Sequence, residues 1–318
     1  MGRKAGTIAL PYLKGHMGGN TIALFPEGVL PETSLMRQVL LALRGTHLHC
    51  HEAGLLSPSS GPSALTLRIV GRTSKGFITA CGGLTQVLGA AIGTGKFREK
   101  FGFGPSGTGE VTLESEGGPV VLRIFREEDC DEIRTKTDMT SFLEELRRDG
   151  IEHIVLGDIR AVRAGKFLVL DAEELAERFP PEKIRELHPE VGGILTELQR
   201  RYLTAYPKAS YDFALFDLRP ERREHLGRLV FPHSFSAGHI EPACGTGTVA
   251  VCAALEFLGK IGEQNRLVRF ESGGGATLGG PETTTAFLHW TGSAIASIGF
   301  SHSVVTVTSE GMVMLPEG

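Results

Sequence analysis

The 318-residue chain has no excess of positive charge. Its 33 Lys and Arg stand against 37 Asp and Glu, a formal net charge of −4. That balance supplies no field for nucleic-acid phosphates, and no Lys/Arg run marks an anionic membrane surface. No apolar run approaches the ~18 residues that a helix needs to cross a bilayer. The opening stretch, MGRKAGTIALPYLKGHMGGN, lacks the apolar segment and small-residue cleavage site of a secretory signal. Gly6 stands where the myristoylation pattern requires Ser or Thr. Cysteine is scarce as well: five residues, an odd number without framework spacing. Free thiols in a reducing cytoplasm are therefore expected.

Glycine, by contrast, is abundant. The 42 glycines follow no collagen period and form no low-complexity block. Many short strands joined by glycine-bearing turns explain such usage. Candidate strands begin at Thr21, Ala64, Glu110, Gly118, His153, Lys166, Tyr211, Leu267 and Ser303. Helical periodicity is confined to residues 31–45, 137–150 and 180–203, the last with a break, and to two apolar segments that each follow a cysteine. Two strand-dominated halves, each with one central apolar helix, define an α+β expectation.

The two apolar segments carry the chemistry. ACGGLTQVLGAA begins at Ala80 and ACGTGTVAVCAA at Ala243. At an offset of 163 (244 minus 81), Ala80, Cys81, Gly82, Thr85, Ala90 and Ala91 fall on Ala243, Cys244, Gly245, Thr248, Ala253 and Ala254. A single cysteine before an apolar helix is more often packing than chemistry. Two in matching Ala-Cys-Gly contexts call for another explanation. A helix apolar on every side is buried, and its one useful exposed feature is its N-terminus. There the first N–H groups lack intrahelical partners and the macrodipole is positive, so anions and thiolates are favoured. If the halves face each other about a pseudo-twofold axis, both starts point into one cleft. Two thiols and two sets of N–H donors then suit proton removal from one face of a carbon and delivery to the other.

These residues resemble the two cysteine motifs of the cofactor-independent amino-acid racemases and epimerases, the family of diaminopimelate epimerase and proline racemase. KGHMGGNTIALF, from Lys14, is similar to the family's opening segment. VRFESGGGATL, from Val268, resembles the glycine-rich strand after the second helix. THLHCHEAGLL, from Thr46, and RLVFPHSFSAGHIEPACGTGT, from Arg228, look most like the histidine racemase of opine-metallophore pathways. AGKFLVLDAEEL, from Ala164, leans towards proline racemases. The resemblance implies two facing pseudo-symmetric halves, each a mostly antiparallel β-barrel around a central helix. Residues 1–118 would form the first half, with 303–318 returning to it, and residues 119–302 the second. Two departures stand out: Gly83 replaces the polar residue that usually ends the first motif, and no arginine precedes the second cysteine in PHSFSAGHIEP.

The resemblance implies catalysis by Cys81 and Cys244 at the Cα of an amino acid. Asn20 and Glu52 would lie at the substrate, Glu241 would serve substrate or turn, and the N–H groups of Gly82, Gly83, Gly245, Thr246 and Gly247 would bind its carboxylate. No metal and no cofactor is expected, and a homodimer is compatible with the reading. Two other readings use the same residues: a double-bond isomerase of an unsaturated carboxylic acid, and a non-catalytic protein that clamps a small carboxylate. His47, His49 and His51 would share one face if their segment were a strand. Without a partner cluster at ligand spacing they read as a polar face rather than a metal site. GTGK, from Gly93, lacks the ending of a phosphate-binding loop, and Cys50, Cys130 and Cys252 read as structural or incidental.

Overall fold

The computed structural model describes residues 6–30, 34–45, 48–72, 74–128, 131–207, 212–232, 240–272 and 282–316. Cys130, His47 and the segments HSFSAGH and GGGATLGGP fall outside the described residues. The chain opens with β1 (Thr7–Met17), β2 (Asn20–Pro26), α1 (Leu35–Arg44), β3 (Glu52–Pro58), β4 (Ala64–Gly71) and β5 (Phe77–Ile78). Then follow α2 (Gly82–Gly93), α3 (Lys96–Phe101), β6 (Gly109–Ser115), β7 (Gly118–Arg126), β8 (Ile133–Asp138) and α4 (Thr140–Asp149). Next come β9 (Ile151–Leu156), β10 (Ile159–Ala164), β11 (Phe167–Asp171), α5 (Pro181–Arg185), α6 (Pro189–Ala205), β12 (Phe213–Asp217) and β13 (Gly227–Val230). The remainder is α7 (Gly245–Phe257), β14 (Leu267–Ser272), β15 (Glu282–Thr291), β16 (Ala294–His302) and β17 (Val305–Pro316). The architecture is α+β, as expected.

Contacts divide the chain into two units, Met1–Thr137 with Val304–Gly318, and Asp138–Ser303. The first division thus falls later than residue 118. The reason is pairing: β7 is antiparallel to β6, and β8 to β7, so both strands stay with the first unit. The Thr137 hydroxyl also lies 2.8 Å from those of Thr85, and accepts a 2.8 Å bond from Gln86 Nε2 on α2.

In the first unit β17 pairs antiparallel with β1 along its length, from Thr7↔Pro316 to Met17↔Val305. β1 turns into β2 through Gly18 and Gly19, both at positive φ (54° and 93°), with Met17 opposite Asn20. A two-residue loop of this kind needs left-handed backbone at both positions, which only glycine adopts without strain. The turn fixes Asn20 as the first residue of β2. β2 and β3 pair in parallel, as do β4 and β6. All of α2 is buried, against β1, β2, β3, β7 and β17. Leu84, Val87, Leu88, Ala91 and Ile92 interlock there with Leu13, Ile22, Leu24 and Leu67.

The second unit repeats the scheme. α7 packs against β10, β11, β12, β15, β16 and α4, and is buried except at Thr246 and its last residues. Its C-terminal turn is clamped: Arg147 donates two bonds to the Glu256 carboxylate (2.9 and 2.8 Å) and one to the Ile295 carbonyl (2.7 Å). Glu256 in turn accepts the Ile295 N–H at 2.9 Å. β11–β12 and β13–β14 are parallel pairs, and β12–β13, β14–β15 and β15–β16 antiparallel.

Several expectations need correction. The strand read from His153 through Ile159 is two strands, β9 and β10, because Gly157 at φ 76° makes a tight turn with Asp158. Residues 48–51 are not a strand: β3 begins at Glu52, and His49 has a left-handed φ of 42°. His49 and His51 therefore do not line one strand face. The helical region from Pro180 does break, into α5 and α6.

The close fit of α2 gives a stability test. A Cβ on Gly89 would come within 2.9 Å of Thr135 Cβ, whereas one on Gly28 meets nothing within 4 Å. Gly89→Ala should destabilise by ~1–3 kcal/mol through overpacking, and Gly28→Ala by far less. Urea unfolding midpoints of the two variants provide the comparison.

Candidate active site

Helix α2 is capped by sulfur. Cys81 occupies the N-cap with extended backbone (φ −150°, ψ 105°), and its Sγ accepts the Leu84 N–H at 3.3 Å. The Cys81 carbonyl accepts the Thr85 N–H at 3.3 Å, while the Thr85 hydroxyl donates to the Gly82 carbonyl at 2.9 Å. α7 begins the same way. Cys244 is extended (φ −135°, ψ 120°), its Sγ accepts the Gly247 N–H at 3.2 Å, and its carbonyl accepts the Thr248 N–H at 3.0 Å. Each bond to sulfur thus comes from the third residue after the cysteine. The sequence offset of 163 carries over to the caps.

Helix stability alone does not account for the choice of cysteine. Oxygen side chains are the preferred caps, with Ser and Asp among the strongest. Sulfur at both starts gives up cap strength, and a helix N-terminus favours the anion of a thiol placed there. Both cysteines are nearly covered, Cys81 at 9% exposure and Cys244 at 4%.

The other sequence-expected residues fall as follows. Gly82 and Gly83 form the first turn of α2 and are buried. Asn20 is fully buried, and its side-chain amide lies 2.7 Å from His51 Nδ1. A Cβ on Gly83 would sit 3.2 Å from Asn20 Nδ2, so Gly83 leaves the space that Asn20 fills at the helix start. Glu52 is half-buried as the first residue of β3, opposite Ile22 on one side and Gly71 on the other. In the second unit, Gly245, Thr246 and Gly247 form the first turn of α7. The Gly247 N–H points at the Cys244 sulfur rather than into open space. Glu241 is buried and makes a single antiparallel bridge with Phe231, donating its N–H to the Phe231 carbonyl at 3.0 Å.

The sequence reading named Thr246 for its N–H alone, and it missed Phe231 and His16. The Thr246 hydroxyl lies 3.3 Å from the Cys244 sulfur, close enough to donate to a thiolate. Phe231 covers the same turn: a Cβ on Gly247 would meet its ring at 2.6 Å. His16 accepts the Gly19 N–H through Nδ1 at 3.3 Å, and burial lowers its pKa, so a neutral imidazole braces the turn that positions Asn20. Only Thr246 carried a signal, as the hydroxyl residue two places after the cysteine.

The remaining described thiols differ in kind. Cys50 and Cys252 are wholly buried. Burial pushes the Cys50 thiol up to about 11 against the pull of Lys14. Burial, with the Glu256 charge adding, pushes Cys252 up to about 12. Both stay protonated at any physiological pH. Among the described residues no group of three or more His, Cys, Asp or Glu could hold a metal ion, and no helix is long and apolar enough to cross a membrane.

Helices capped by cysteine and enclosed by strands in two successive units place the chain in a fold already seen in solved racemase, epimerase and isomerase structures. A hydroxyproline epimerase from Agrobacterium vitis, solved with trans-4-hydroxy-L-proline bound, superposes with a TM-score of 0.65 at 16% identity, covering 99% of this chain and 94% of that one. A PhzF-family phenazine biosynthesis protein from Bacillus anthracis gives a TM-score of 0.59 at 16% identity, over 97% and 99% of the two chains. A methylitaconate Δ-isomerase gives 0.58 at 11% identity, over 98% and 96%. No protein-family model and no curated protein matches the sequence.

The contrast among thiols is directly measurable. Brief iodoacetamide treatment of the native protein at pH 8 should label Cys81 and Cys244 at least ~10-fold faster than Cys50 and Cys252. Peptide mass spectrometry reads all four. Equal labelling of Cys252 and Cys244 would remove the distinction.

Proposed function

We propose that the chain is an isomerase, a racemase or epimerase of an amino acid, with Cys81 and Cys244 as its two bases. One sulfur, as thiolate, takes the proton from Cα. The other, as thiol, gives its proton to the opposite face. The first sulfur leaves the step as a thiol and the second as a thiolate, so the protein is ready for the reverse direction and resets by exchange with solvent. Negative charge that develops towards the substrate carboxylate is met by the N–H groups of Gly82 and Gly83 at one helix start and of Gly245 and Thr246 at the other. Gly247 N–H and the Thr246 hydroxyl hold the Cys244 sulfur instead. The reading draws on no cofactor, because fixed dipoles in a water-excluding site do the acidifying work. It places the protein in the cytoplasm, where thiols stay reduced.

The observation that carries the proposal is the repeated sulfur cap, since two N-cap cysteines with matching bonds have no rationale in helix stability. The likeness to epimerase and racemase structures supports it. Double-bond isomerisation of an unsaturated carboxylic acid is the second reading. It is favoured by the methylitaconate isomerase likeness, and it uses the same proton transfers.

Incubation with amino acids in deuterated water separates these readings. A racemase or epimerase labels saturated amino acids at Cα, and early product from one enantiomer should be almost fully deuterated while remaining substrate stays protonated. An isomerase labels unsaturated acids only. Cys81→Ser and Cys244→Ser should each lower turnover by at least ~10³-fold, a hydroxyl being a far weaker base than a thiolate. Near-normal turnover in either variant would eliminate the two-thiol mechanism.

A further inference from the structure

The inner face of β14–β15–β16 changes character along its length. Register places Val268 opposite Ala286, Ala286 opposite Phe300 and Leu288 opposite Ile298, all apolar and buried, and β15 and β16 pack on α7. Further along the same face Ser272 stands opposite Glu282, and Thr284 opposite His302. Ser272 is 1% exposed and Thr284 is fully buried. Yet among the described residues Ser272 Oγ, Thr284 Oγ1 and Glu282 Oε2 have no hydrogen-bond partner. His302 Nε2 lies 3.8 Å from Glu282 Oε2, beyond hydrogen-bond reach. Buried polar atoms are nearly always bonded, so three bare ones on adjacent strands point to an absent partner.

One observation brings this polar end towards Cys244. β13 runs parallel to β14 with Arg228 opposite Glu271, and just beyond it Phe231 covers Gly247 in the first turn of α7. The Ser272 end of the sheet therefore lies towards the end of the helix that begins after Cys244.

We infer that Ser272, Glu282 and Thr284 form the subsite for the substrate side chain, and that this side chain is cationic, ending in an ammonium or guanidinium group. The inference rests on the proposed racemase or epimerase reading for the position of Cα at Cys244. A carboxylate and two hydroxyls supply acceptors for several N–H donors at once. An apolar side chain leaves all three atoms unmet, and an acidic one sets carboxylate against carboxylate. A neutral amide gives donors but leaves the Glu282 charge without a counterion. Burial raises the Glu282 pKa, a penalty that a bound cation relieves.

Titration calorimetry on the whole protein, with L-lysine and L-arginine as probes against norleucine and citrulline, tests the subsite without relying on turnover. The basic probes should bind ~10- to 100-fold more tightly than their neutral analogues, the range expected of charge-assisted hydrogen bonds. Glu282→Gln should bring that ratio close to one. Thr284→Val, nearly isosteric, should weaken the basic probes while leaving the melting temperature of the free protein unlowered, because the hydroxyl has no partner to lose. It carries the test if Glu282→Gln does not fold. Preference for the neutral probes, a ratio unchanged in the variants, or a lowered melting temperature in Thr284→Val would overturn the subsite. Discriminating binding without deuterium exchange at Cα would keep the subsite and reject the racemase reading.

Discussion

A helix enclosed by strands can present chemistry only at its ends, and this protein builds both of its buried helices around that constraint. Each N-terminus leaves backbone N–H groups without intrahelical partners, and in each a cysteine sulfur takes one of them, from Leu84 or from Gly247. The rest of each unit follows. All-round apolarity in α2 and α7 lets strands surround them, and small residues in the first turns let other groups come close. Asn20 reaches the start of α2 because a Gly-Gly turn fixes it at the head of β2 and Gly83 makes room for it. Phe231 reaches the start of α7 because Gly247 does the same there.

The two ends of α7 divide the work. Its C-terminal turn is held by an ion pair in which Arg147 Nη2 donates to both Glu256 oxygens while Nη1 donates to the Ile295 carbonyl of β16. With Glu256 also accepting the Ile295 N–H, these bonds resist axial slip of the helix against the sheet. The position of the N-terminal turn is thus set from the far end of the helix, which is how a site is held in place by a rigid element.

The helices were legible in the sequence because their signal is local and doubled: six matches at one offset, each set leading an apolar run. Asn20, expected at the substrate, lies beside Gly83 in the first turn of α2. What stayed hidden depends on register. β1 was not foreseen, since Pro11 and the Lys14-Gly15 irregularity interrupt its alternation, and its pairing partner lies at the far end of the chain. β15 and β16 were missed because threonines and serines on their outer faces dilute the apolar period. Ser272, Glu282, Thr284 and His302 are unremarkable as letters, and only cross-strand pairing makes them neighbours. The histidine run misled for the opposite reason: its alternation was real, but the left-handed backbone at His49 cancels its meaning.

The pairing of β1 with β17 also orders events during synthesis. All strands of the second unit come from one continuous stretch, 138–303, so its contacts can form as soon as that stretch has left the ribosome. The first unit cannot finish then, although it began earlier. Thr7 through Met17 must wait for Val305 through Pro316, and one side of α2 waits with them. Closing so long a loop is slow, and until it closes β1 and α2 keep apolar surface in water. The nascent chain therefore carries its first half open while the second is already built. During that interval β1 is paired on one edge only, with β2, and its other edge stays open.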